Sequence, residues 1–97
     1  MISDEDFIRL FNACATLAKT PTNPPIAARS LDDLFPDLNI DSLDGIILGM
    51  YLCDAFGVAE EVGKTMQVRS VGDTKAFLVA NATVEAIDVD KVIENLK

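Results

Sequence analysis

The chain has 97 residues, 49% of them hydrophobic and 25% charged, which suits one small domain with a single modest core and excludes a disordered chain. Sixteen acidic residues against eight basic ones give a net charge of -8, a field that repels nucleic acid and anionic membranes and attracts basic protein surfaces. The absence of histidine removes the commonest general base, nucleophile activator and zinc ligand together, so catalysis by this chain alone is not expected. Cys14 and Cys53 lack the CxxC spacing of a metal or redox site and read as reduced, semi-buried thiols, with a disulfide as the alternative.

The acidic start Ser3-Asp4-Glu5-Asp6 argues against a signal peptide, and no apolar run approaches the roughly 18 residues of a membrane span, so a cytoplasmic location is expected. Ser3 with Asp6 marks a helix start, and Phe7, Leu10, Phe11, Cys14, Leu17 and Ala18 recur at helical spacing, which predicts a first helix over residues 4–19. Thr20-Pro21-Thr22-Asn23-Pro24-Pro25 ends it, because proline lacks an amide donor and disfavours helix in the residue before it. A long loop to about residue 40 follows, with Ile26, Leu31, Leu34, Phe35 and Leu38 as apolar anchors and a helical turn near residues 30–35.

Asp41 is placed as an N-cap with Asp44 in the capping-box position, ahead of an apolar run from Ile46 to Phe56, which predicts a second helix over residues 42–56 ended by Gly57. A short third helix is expected around residues 59–66, weakened by Gly63. Ser70 with Asp73 opens a fourth over residues 71–81. Asp88 caps a last one in which Val89, Val92, Ile93 and Leu96 form an amphipathic stripe. Strand-like alternation is confined to pieces such as Val84 to Ile87, so the fold class expected is all-α.

The stretch Asp37-Leu38-Asn39-Ile40-Asp41-Ser42-Leu43-Asp44 resembles the D-L-x-x-D-S-L-D signature of acyl carrier proteins. The architecture of residues 4–81 is similar to that family, the specific part being residues 37–56. The resemblance implies a four-helix bundle with a long first loop and a short third helix, here residues 1–82; residues 83–97 lie outside it and are expected to add a C-terminal helix packed on the same domain. It further implies a monomeric carrier, not an enzyme, that holds an acyl group as a thioester on a 4'-phosphopantetheine arm attached to Ser42, for fatty acid, lipid or specialised metabolite synthesis. Asp41 would serve the phosphopantetheinyl transferase that grafts the arm, and Leu43, Asp44, Ile47, Met50 and Asp54 would meet acyl-loading and acyl-transfer enzymes with basic or apolar docking surfaces.

That position makes physical sense, because a serine opening a helix is exposed, and a phosphodiester there lies beside the unpaired amides and positive dipole end of the helix. The same residues also read as an ordinary helix cap followed by a solvated serine. A peptidyl or aminoacyl carrier would use the same serine, and a small acidic adaptor would use the same helix without modification. Asp37-x-Asn39-x-Asp41 imitates the opening of an EF-hand loop, but Ser42 stands where glycine is needed and Leu48 where the bidentate glutamate belongs.

The chain departs from the family on its second helix, where Ile47, Cys53 and Ala55 occupy positions at which acids are common. A helix apolar on nearly all sides must be covered either by a partner with an apolar contact surface or by the C-terminal helix. Gly45 and Gly49, each costing about 1 kcal/mol relative to alanine in a helix interior, either widen a cargo pocket, permit a close approach, or are tolerated without a role.

Overall fold

The computed structural model describes residues 2–96 and is all-helical. Helix α1 spans Asp4–Ala18, α2 Ser42–Phe56, α3 Glu60–Gly63, α4 Val71–Asn81 and α5 Val89–Leu96, and a 3-10 turn occupies Phe35–Leu38. Among the described residues the only β-type pairing is a single bridge between Leu34 and Ser70. No helix among them is long and apolar enough to cross a membrane.

The helix starts follow from side-chain capping. Ser3 Oγ accepts from the Asp6 amide at 3.1 Å, and Ser70 Oγ accepts from the Asp73 amide at 3.0 Å. The Asp88 carboxylate accepts from the Lys91 amide at 3.2 Å. Each bond satisfies one of the amide donors that a first helical turn leaves over. Helix α2 ends where Gly57 adopts φ 68°, and a Cβ there would fall 2.3 Å from Thr83 Oγ1, so both backbone conformation and space demand glycine.

The core lies between α1 and α2. Phe7, Leu10, Phe11 and Cys14 of α1 meet Leu48, Leu52 and Phe56 of α2, with Val71 and Leu78 of α4 closing the far side. Phe7 and Phe56 pack edge to face with ring centroids 6.1 Å apart, and Phe35 reaches in from the loop to lie 5.7 Å from Phe11. Helix α5 packs on α1, burying Val89 and half-burying Val92, Ile93 and Leu96. The C-terminal helix therefore lies along α1 and leaves the outer face of α2 uncovered, where Leu43, Ile46 and Met50 are 65%, 63% and 65% exposed.

The first loop departs from expectation in detail. Leu38 is buried and Leu31 and Phe35 are half-buried, but Ile26 and Leu34 are exposed, and Ala28 and Ile40 take the buried places instead. The cause is backbone pairing. Asn12 on α1 clamps Ala28, its Nδ2 donating to the carbonyl at 3.0 Å and its Oδ1 accepting from the amide at 2.7 Å. The Ile26 amide donates to the Leu38 carbonyl, and Leu34 is held extended by its bridge to Ser70. The helical turn expected at residues 30–35 falls at Phe35–Leu38, because Asp33 Oδ2 ties the Arg29 and Ser30 amides into a bend and Pro36 favours the first turn after it. Helix α3 is shorter than residues 59–66, since the Thr65 and Met66 amides bond three residues back to the Val62 and Gly63 carbonyls, tightening the chain out of α-helical geometry.

Candidate functional site

The start of α2 is a reciprocal capping box. Asp41 Oδ1 accepts from the Asp44 amide at 2.9 Å, and Asp44 Oδ2 accepts from the Asp41 amide at 3.3 Å. Because these aspartates do the capping, the adjacent Ser42 is exposed and its hydroxyl makes no hydrogen bond to another described residue. The amides of Ser42 and Leu43 likewise remain without a partner among the described residues, as the first positions of a helix require.

Asp44 has a second duty. Lys19, just past the end of α1, donates from Nζ to Asp44 Oδ2 at 2.7 Å, with the two side chains only 4% and 15% exposed. This hydrogen bond from Lys19, opposed by partial desolvation and aided by the bonds to Asp41, holds the Asp44 carboxyl below the usual range. Asp44 is thus engaged within the chain, and its charge reaches a partner only through the Lys19 pair. The pair also fixes the start of α2 against the end of α1 and places a cation near the Ser42 end of the helix.

Beside Ser42 runs an open, mainly apolar groove of about 1070 Å³ between α2, residues 34–40 of the first loop, and the segment that carries α3 and residues 64–69. One stripe of α2 supplies its wall: Ser42, Gly45, Ile46, Gly49, Met50 and Cys53, which recur at helical spacing. Asp41 and Asp54 stand at its rim, and Lys64 and Arg69 line the opposite side. Of the residues singled out from sequence, Asp41, Ser42, Met50 and Asp54 therefore share this groove. Leu43 lies on the neighbouring exposed strip of α2, Ile47 is half-buried, and neither lines the groove.

Three residues of this region escaped the sequence reading. Ile46 was within reach of it, being three residues after Leu43 and four before Met50 on the same helical pattern. Lys19 and Met66 carry no local signal, because each meets α2 only after the chain has turned back. Of the three oxygen-bearing residues of the imitation calcium loop, Asp37, Asn39 and Asp41, two make structural bonds: Asp41 Oδ1 caps α2, and Asn39 closes the 3-10 turn at φ 60° with its Nδ2 donating to Asn23 and Pro24. No group of three or more candidate metal ligands occurs among the described residues.

Cys14 and Cys53 are both free and buried. Burial among apolar side chains pushes the Cys14 thiol up to about 12, and burial together with the charge of Asp54 raises Cys53. Comparison of the chain with protein-family models, with curated proteins and with solved structures returned no match in any of the three.

Proposed function

We propose that this chain is an acyl carrier protein whose cargo rides on 4'-phosphopantetheine joined to Ser42. The observation that carries the reading is the freedom of one hydroxyl. Ser42 opens α2, is exposed, and is relieved of capping by Asp41 and Asp44, so a transferase can reach it without unravelling the helix.

The surroundings fit the group. The unpartnered amides of Ser42 and Leu43 and the positive end of α2 favour a phosphodiester at that oxygen. Lys19 offsets the carboxylate of Asp44, two residues on. When bound, the group supplies a terminal thiol that holds a carboxylic acid as a thioester. The groove alongside offers an apolar bed for such a chain, its wall stripped of side chains at Gly45 and Gly49.

Partners of this carrier are a phosphopantetheinyl transferase and the enzymes that load and unload acyl groups in fatty acid, lipid or specialised metabolite synthesis in the cytoplasm. They dock on the exposed strip of Leu43, Ile46 and Met50, with Asp41 and Asp54 contributing charge at its margin. The strip is more apolar than charged, so the complementary surface is an apolar patch with basic residues at its edge.

Intact-mass measurement after incubating the apo chain with coenzyme A and a broad-specificity transferase tests the proposal. Wild type gains the mass of one phosphopantetheine, and Ser42→Ala gains none. A wild-type chain that stays unmodified under conditions that convert a control carrier leaves only an acidic adaptor.

A further inference from the structure

Across the groove beside Ser42 a single side chain reaches Gly49. Met66 reaches across from the turn after α3, and its Cε lies 2.8 Å from where a Cβ on Gly49 would stand. Methionine from one wall and missing side chain on the other are thus two halves of one contact, since any residue larger than glycine at position 49 has to push the thioether aside.

We infer that Met66 is a movable plug that sets how long an acyl chain the groove shelters, an inference that rests on the carrier reading above. Met66 is half-buried, so one flank borders open groove. Its side chain is unbranched with three rotatable bonds, and it can leave Gly49 without any backbone shift. The neighbouring stretch of the same seam has no such freedom. A Cβ on Gly63 would sit 3.1 Å from Cys53 Sγ, so α3 already rests closely on α2 there and yields only as a body.

The groove volume of about 1070 Å³ lies just above the range of about 300–1,000 Å³ in which small-molecule sites fall, so capacity is not the limit. The obstacle is local. A chain entering from the Ser42 end runs along Gly45 and reaches Gly49, where it must either stop at Met66 or displace it. Removing Cγ, Sδ and Cε from Met66 opens space for roughly three more methylene groups.

The experiment uses the full holo chain loaded with saturated acyl groups of increasing length, and follows cleavage of the thioester by hydroxylamine. In wild type, protection rises with length and then levels off. In Met66→Ala the plateau moves to chains longer by two or three carbons, with roughly fourfold slower cleavage for each further methylene sheltered. Met66→Leu, similar in volume, keeps the wild-type plateau, and Gly49→Val shortens it by crowding the same spot.

A second readout is the Met66 methyl carbon resonance, assigned by its loss in Met66→Leu. It shifts when the loaded chain passes the wild-type plateau length and stays put for shorter ones. Identical length profiles in wild type and Met66→Ala, or a Met66 methyl that ignores chain length, overturn the plug while leaving the carrier intact. Absence of any mass gain at Ser42 in the holo preparation is a different result and takes both readings down together.

Discussion

Helix α2 has two flanks of opposite character. Toward α1 it presents Leu48, Leu52 and Phe56, all fully buried, and it is pinned at its start by the Lys19–Asp44 pair. On the other flank Gly45 faces Phe35 of the 3-10 turn, Gly49 faces Met66 and Cys53 faces Gly63 of the four-residue α3, with a groove left between. The contrast teaches how a small domain divides labour: close packing on one flank holds Ser42 in place, and the other flank, which borders an open groove, is left to accommodate change.

The largest effect expected on the packed flank is that of Phe56→Ala, which removes a ring in contact with Phe7 and destabilises the protein by about 3–5 kcal/mol in urea unfolding. Met66→Ala on the open flank costs about 1 kcal/mol by the same measurement, because its side chain is only half enclosed. Equal losses at the two positions would erase the distinction between the flanks.

Next in size is Asp41→Ala, which deletes half of the capping box and costs about 1 kcal/mol. Hydrogen exchange places the loss: amides in the first turn of α2 lose protection, while those around Phe56 keep theirs.

Lys19→Gln has a smaller effect with a defined pH dependence. The Asp44 carboxyl is held below its unfolded value, so the pair stabilises the fold above that value, and the contribution fades as pH falls through the folded one. The variant is therefore less stable than wild type at neutral pH and matches it at pH well below the ordinary aspartate range of about 4. Carbon resonances of the Asp44 carboxyl, titrated in both proteins, show its midpoint moving up in the variant.

Smallest of all is Leu43→Ser on the exposed strip, which changes stability by no more than about 0.5 kcal/mol in urea unfolding. A large stability loss there would mean that the strip is covered within the chain.

Much of this architecture was legible in residue order because its boundaries are chemically marked. Asp41 and Gly57 bracket α2, and Ser70 opens α4, each through bonds made within a few residues. What escaped depends on contacts between distant parts of the chain. Asn12 decides which loop residues are buried by gripping Ala28, and Lys19 redirects Asp44 inward. Met66 completes the groove from the far wall. The exposure of Ile26 and Leu34 follows from backbone pairing, which side-chain hydropathy does not encode.

Both polypeptide thiols sit away from solvent, and burial suppresses the anion that oxidative coupling requires. If the carrier reading holds, an ungrafted chain stays single under mild oxidants, whereas a grafted one, bearing a flexible exposed sulfhydryl, joins to a second copy. A non-reducing gel thus distinguishes the two forms by eye, and the ratio of the bands follows grafting in crude preparations.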